Sequence, residues 1–326
     1  MNKQALRADI LLLITAAIWG FAFTAQRSGM EYMGPFTFNG IRFLMGSLSL
    51  IPFVLFRMGN PANALAPKTA ALASLLAGSC LFIAVSLQQI GLMYTTAGNS
   101  GFITGLYVAF TPIFGLFLGK KTGLPTWIGA GFALTGMFFL SAAEPLLHAG
   151  SNGKTINPGD LITAVSAFFW TFHVLIIDAL AKRIDPVTLA SGQFACCGLF
   201  SLAAVLALRL AVTSPANGAA AGLAPALYRL AETEAFSLAS LRAGLIPLLY
   251  GGLFSAGIAY TLQVAAQKYA PPAHATILLS LEGVFAVIGG ALLLREPLGT
   301  WTLLGFILMF CGMLTTQWDV ILGRRR

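Results

Sequence analysis

Arg42, His173 and Glu282 are the side chains of this sequence most able to do chemistry, because each is an ionisable group inside an apolar stretch. A charged group at the centre of a bilayer costs about 2.5–3.5 kcal/mol on insertion scales, so each needs a reason to be there. Glu282 falls within about a residue of the midpoint of its stretch, Arg42 about 5 Å from the midpoint of its own, and His173 near the middle. Asn39 lies three residues before Arg42, and Trp170 three before His173, so each pair shares a helix face. Trp19 and Trp170 also stand at mid-membrane depth, where tryptophan is unusual because it prefers the interfaces. A guanidinium, a carboxylate, an imidazole and aromatic faces together suit the binding of a small polar molecule. Arg42 would take a carboxylate of that molecule. Glu282 would take an amine or carry a coupling proton.

Each of these residues has a plainer reading. Glu282 and Arg42 could form an ion pair that only orients helices, and His173 could be a packing histidine satisfied by a neighbour. The tryptophans could fill the bundle core. Gln88 and Gln263 read as bonds between helices, and Asn99 and His274 as caps at helix starts. Enzymatic signals are poor. Gly115 to Lys120 lacks the spacing of a phosphate loop, no HExxH or GxSxG occurs, and His173 has no aspartate at its depth. No cofactor or metal is expected. The four cysteines, Cys80, Cys196, Cys197 and Cys311, lie in apolar stretches and read as small packing residues.

The elements that carry these residues must be membrane helices. Of the 326 residues, 57% are hydrophobic and only 9% charged, against about 25% charged in a soluble domain. Judged against about 20 apolar residues per span, stretches fall at roughly 9–27, 35–56, 70–93, 98–119 and 124–142. A second set falls at roughly 160–180, 188–212, 243–266, 272–294 and 299–318. The expected fold is all-α and integral to the membrane, with ten transmembrane helices. The first stretch is expected to remain as a span rather than be cleaved as a signal, because Trp19, Gly20 and Phe21 stand where small cleavage-site residues belong.

The second half repeats the first. At a shift of 151 residues Trp19 meets Trp170, Phe21 meets Phe172, Pro35 meets Pro186 and Phe43 meets Phe194. At a shift of 175, Leu87 and Gln88 meet Leu262 and Gln263, and Phe110 meets Phe285. The repeats are read as residues 1–145 and 156–322, each with five spans. An odd number of spans forces the halves to cross in opposite senses, an architecture of secondary transporters built around a central cavity. Under these shifts Arg42 corresponds to Gln193 and Tyr107 to Glu282, so the charged groups belong to one half each.

Basic residues set the orientation. Lys3, Arg7, Arg57, Lys68, Lys120, Lys121, Lys182, Arg183, Lys268 and Arg324 to Arg326 fall on one side, outweighing Arg27, Lys154, Arg209, Arg229, Arg242 and Arg295. Both termini are therefore expected in the cytoplasm. The net charge of +8 is accounted for by this placement, and no nucleic-acid partner is expected. The long outer connection at 213–242 reads either as a disordered loop or, over Leu223 to Leu241, as an interfacial amphipathic helix.

Ile18-Trp19-Gly20, Gly40-Ile41-Arg42-Phe43, Tyr94-Thr95-Thr96-Ala97-Gly98-Asn99, Thr111-Pro112, Leu281-Glu282-Gly283-Val284-Phe285 and Arg295-Glu296-Pro297-Leu298 occur in this order. In that order the chain resembles the EamA-type members of the drug/metabolite transporter superfamily over nearly its whole length. The resemblance implies a bacterial inner-membrane permease, often an exporter of amino acids and related metabolites, folded as a basket of two inverted five-helix repeats. Two departures stand out. Gly283 replaces the usual proline after the glutamate, so the local kink is expected to be absent. Lys120-Lys121 replaces a common Gly-Glu pair.

The function expected is therefore export of a small metabolite, most plausibly an amino acid, by alternating access. Trp19, Trp170 and Tyr107 would supply walls, and Asn39, Arg42, His173, Gln193 and Glu282 polar contacts. The partners expected are the small-molecule substrate, the lipid bilayer and protons as coupling ion, in a monomer or homodimer. The rivals are uptake of a nucleotide-sugar or cofactor, a non-transporting membrane sensor, and an enzyme acting on lipid-linked substrates.

Overall fold

The computed structural model describes residues 3–58, 67–119, 123–141, 157–213, 225–234, 237–296 and 299–316, and these are all helix or turn. Lys120-Lys121 lies outside them. Helices α1 (Lys3–Gly29), α2 (Pro35–Met58), α3 (Pro67–Leu92), α4 (Ala97–Thr104), α5 (Tyr107–Phe117) and α6 (Leu124–Ser141) make up the first half. The second half holds α7 (Pro158–Leu180), α8 (Pro186–Thr213), α9 (Pro225–Thr233), α10 (Leu238–Ala243) and α11 (Leu245–Leu249). It continues through a π-helical segment (Tyr250–Tyr260), α12 (Thr261–Gln267), α13 (Pro272–Leu279), α14 (Glu282–Leu293) and α15 (Thr300–Thr316). Many begin with proline, whose fixed φ suits the first turn and whose missing N–H would have no partner there.

Eight spans are long and apolar enough to cross a membrane: α1, α2, α3, α4–α5 together, α7, α8, the run Leu245–Gln267 and the run Pro272–Leu293. The two remaining long apolar helices, α6 and α15, pack closely on each other beside the broken spans. Leu48, Phe53, Leu72, Leu199 and Leu206 are exposed on the outside of the bundle. Polar residues turn inward. Thr15, Asn39, Ser100, Gln193 and Thr276 are fully buried, the arrangement expected where lipid rather than water surrounds the bundle.

Helix partners recur across the halves. α3 packs on α7 and α8, while the run through the π-helical segment packs on α1 and α2. α14 packs on α1, and α4 and α5 pack on α7. α2 meets α8 directly, and Ser47 of α2 bonds to Ser191 of α8 at 2.9 Å.

Two spans are broken at their middles. α4 ends at Thr104 and α5 starts at Tyr107, and α13 ends at Leu279 and α14 starts at Glu282. The second break corrects the expectation that Gly283 removes the kink. The chain turns at Ser280-Leu281 without proline, with Gly283 N–H bonded to the Ser280 carbonyl at 3.1 Å. A Cβ on Gly283 would come within 2.8 Å of the Phe102 ring. Glycine here serves the close packing of α4 on α14.

The capping expectations are also corrected. Thr96, not Asn99, caps α4, its side chain accepting from Asn99 N–H, and His274 instead bonds to Asp9. α2 and α8, both starting at repeat-related prolines, are capped differently. Asp185 caps α8 locally, accepting from the N–H groups of Val187 and Thr188 at 3.1 Å. The equivalent position before α2 is Gly34, and its carboxylate comes from Glu234 beyond α9, accepting from Phe36 and Thr37 N–H at 2.8 and 2.7 Å. Burial pushes the Glu234 carboxyl above its ordinary range, and these hydrogen bonds work against that shift. The long connection is thus helical at Pro225–Thr233 and Leu238–Ala243 and pinned at Glu234. Its residues 214–224 lie outside the described residues.

Candidate functional site

The breaks in the two spans put Tyr107 and Glu282 at the starts of α5 and α14, and the two residues meet. Tyr107 Oη donates to Glu282 Oε1 at 2.9 Å, with both residues almost fully buried. Tyr107 and Glu282 are the repeat-related pair of the sequence, so one bond joins the two halves at equivalent points. A carboxylate first in a helix also faces the positive end of the helix dipole. No ion pair joins Glu282 to Arg42, which corrects the structural pairing considered from sequence. Arg42 Nε donates instead to Asn39 Oδ1 at 2.9 Å. Its guanidinium lies over the rings of Phe43 at 4.7 Å and Phe38 at 5.4 Å.

Trp19, Trp170 and Tyr260 form an aromatic cluster between these charges. Trp19 meets Tyr260 edge-on at 4.5 Å and Trp170 at 6.4 Å, and Trp170 stacks on Tyr260 at 6.2 Å. The indole of Trp19 is fixed by its N–H to the Ser255 carbonyl at 3.2 Å. Ser255 and Tyr260 lie in the π-helical segment, a geometry that frequently marks functional sites.

Arg42, Glu282, Tyr107, Trp19, Trp170 and Tyr260 line one cavity, closed further by Gln26, Gln88 and Gln263. The void among them is only about 30 Å³, room for about two or three water molecules. Three of its lining polar atoms lack a protein partner: Trp170 Nε1, Gln26 Oε1 and Gln263 Oε1. Buried polar atoms are rarely left so, and a cluster of them around one void points to water or a polar ligand as partner.

Of the eight residues expected from sequence, Trp19, Arg42, Tyr107, Trp170 and Glu282 line this cavity. The other three stand behind it. Asn39 holds Arg42. His173 Nε2 and Gln193 Oε1 are 2.8 Å apart and pair with each other, while the His173 ring meets Trp170 at right angles. Tyr260 was not legible, because it sits about 8 Å past the middle of its apolar stretch and carries no charge to mark it. Gln88 bonds between helices as expected, to Thr104 at 2.8 Å. Gln263 lines the cavity, and its Oε1 has no protein partner. Among the described residues no cluster of His, Cys, Asp and Glu could hold a metal ion.

Comparison with known proteins gives the family and the fold. The EamA-like transporter family model matches twice, over residues 6–142 and 157–317. An uncharacterized transporter of Archaeoglobus fulgidus is 28% identical over 90% of this chain and 80% of its own. The uncharacterized inner membrane transporter YedA of Escherichia coli is 27% identical over 92% of this chain and 87% of its own. A solved crystal structure superposes with a TM-score of 0.67 over 95% of this chain and 96% of its own, at 17% identity, and so shares the fold. The chain is a multi-pass membrane protein and belongs to the EamA-like transporter family.

Proposed function

We propose that this transporter moves a small zwitterion, an amino acid or close relative, out of the cytoplasm by alternating access of the central cavity. The observation that carries this reading is the pairing of opposite charges in one buried, aromatic-walled cavity. Arg42 is held by Asn39 and Glu282 by Tyr107, and neither neutralises the other. The guanidinium takes the substrate carboxylate through charge-assisted hydrogen bonds. Glu282 takes the amine, and the Trp19–Trp170–Tyr260 cluster adds cation–π attraction to the same group. A void of about 30 Å³ cannot hold such a solute, so the walls must part to admit it. The described conformation is read as closed toward both sides.

The same reading takes the fold as ten transmembrane helices, α6 and α15 included, in two inverted repeats over residues 1–145 and 156–322. Support for the inversion comes from contacts at the far end of α1. Arg27 there bonds to the Met93 carbonyl at 3.4 Å, and the neighbouring Tyr94 carbonyl accepts from Asn157, the cap of α7, at 2.7 Å. α1 therefore ends where α7 begins. With the basic residues weighed as above, both termini face the cytoplasm.

The test uses purified protein in liposomes loaded with a mixed pool of amino acids, nucleotide-sugars and organic anions, with release followed by mass spectrometry. Selective release of zwitterions supports the proposal. Release of nucleotide-sugars or anions instead, or of no solute from folded protein, overturns it.

A further inference from the structure

The cavity does not use the buried ionisable pair at the end of the bundle where α1 begins. Asp9 of α1 and His274 of α13 are 7% and 5% exposed, with Asp9 Oδ1 and His274 Nε2 2.7 Å apart. The bond ties together two spans whose middles carry Trp19 and Glu282. At the depth of the cavity these spans pack so closely that a Cβ on Gly20 would lie 2.6 Å from the Glu282 carbonyl oxygen and 2.2 Å from Phe285 Cβ. Parting them at this end would open a way to the cavity.

The repeat supplies a second such tie. The shift of 151 that relates Trp19 to Trp170 also relates Asp9 to Asp160, at the start of α7. Asp160 accepts from the Thr95 hydroxyl, just ahead of α4, at 2.5 Å. So α7 is tied to the α4–α5 span as α1 is tied to the α13–α14 span, and the second tie stands beside the far end of α1. Each half keeps the aspartate and changes its partner. The first-half counterpart of His274 is Asn99, at the shift of 175. One tie thus contains an imidazole that changes charge near neutral pH, and the other contains a hydroxyl that does not.

We propose that Asp9–His274 is a proton-binding clasp that closes the bundle at the end where α1 begins, and that Asp160–Thr95 is its counterpart without a histidine at the other end. The proposal rests on the transporter reading above and deepens it by separating the proton site from the substrate site at Glu282. The imidazolium–carboxylate form of the clasp is the stronger form, because a charge-assisted hydrogen bond is about twice as strong as a neutral one. Closure therefore takes up a proton, and rising pH loosens this end. Two clefts lie beside the clasp. One cleft is lined by Arg7 and Ala8, next to Asp9, and another by Ala273, next to His274.

Among the described residues, the charged groups on this side are Lys3, Arg7, Arg57, Lys68, Arg183, Asp185, Lys268, and Asp178 with Lys182, which are 3.9 Å apart. Besides α1, the elements packed on α13 are α7, which carries Asp160, His173 and Asp178, and α5, α6 and α15, whose described residues include no Asp, Glu, Lys, Arg or His. The charge at this end is thus mainly basic.

The experiment is hydrogen exchange by mass spectrometry on the full chain in lipid nanodiscs, from pH 5.5 to 8 and corrected for intrinsic exchange, without any solute. Protection of the first turns of α1 and of α13 is expected to fall about fivefold as pH rises through the histidine range. In His274→Asn, which restores the residue of the other repeat, it should be flat with pH. Asp9→Asn is the second variant should the first fold poorly, and it should be flat as well. Thr95→Ala should keep the pH response at α1. A wild-type profile without pH dependence, or one that persists in both clasp variants, overturns the proposal. Failure of the transporter reading would appear separately, as absence of solute release from liposomes while the exchange profile stands.

Discussion

The first broken span, α4–α5, and the second, α13–α14, have the same backbone and opposite chemistry. Both turn at mid-span and start their second helix with a buried polar residue, yet that residue is Tyr107 in one and Glu282 in the other. The same divergence separates Arg42 on α2 from its counterpart Gln193 on α8. Two copies of one fold, identical in charge, would face each other across the cavity with like groups. Here each copy contributes one charge of opposite sign, and the cavity has a direction. On the proposed reading, a zwitterion lies in it in only one favourable sense.

The comparison is broken most severely by removing its one carboxylate. Glu282→Gln keeps a hydrogen-bond acceptor for Tyr107 but loses the charge. Zwitterion flux in liposomes should fall about 100-fold, the upper range for losing a hydrogen bond to a buried charge, while the melting profile in detergent stays cooperative. Wild-type flux would remove Glu282 from the mechanism. Arg42→Gln makes the first half resemble the second. A fall of about tenfold in flux at low substrate is expected, together with lost preference for a free carboxylate over its methyl ester. Tyr107→Phe removes only the bond that orients Glu282, and a fall of about fivefold should be read as a change in KM with intact folding.

The smallest effect concerns the capping contrast. Glu234→Gln weakens the borrowed cap of α2 and should cost about 1 kcal/mol of stability, read as a lower thermal midpoint, with substrate selectivity unchanged. Asp185→Asn at the local cap of α8 is the matched control. If only the borrowed cap tolerates change, the outer connection is not holding α2.

Much of this site was legible because bilayer physics leaves few reasons for an ionisable group at mid-depth. Arg42, Glu282 and Trp19 stood out by depth alone, and the repeat linked Tyr107 to Glu282 before any contact was known. The partners were not legible. Arg42 and Glu282 looked like a pair, but their separation depends on helix rotation and on Asn39 and Tyr107 lying closer. The turn at Ser280-Leu281 was hidden because the proline that would announce it is absent, while the close approach of Phe102 has no sequence signal. Tyr260 was missed because its depth is set by a π-helical segment, whose extra residue per turn shifts which side chains face inward. Depth does not single out Asp9, which lies at the start of its stretch, although the shift of 151 relates it to Asp160.

The central claim is that one ligand bridges Arg42 and Glu282. The direct measurement is competition against uptake of a labelled amino acid in proteoliposomes by its unmodified form, its N-acetyl derivative and its methyl ester. Wild-type protein should reject both derivatives, Glu282→Gln should lose its discrimination against the N-acetyl form, and Arg42→Gln its discrimination against the ester. Both variants discriminating as wild type does would contradict the account, because the two charges would then hold the protein together and not its substrate.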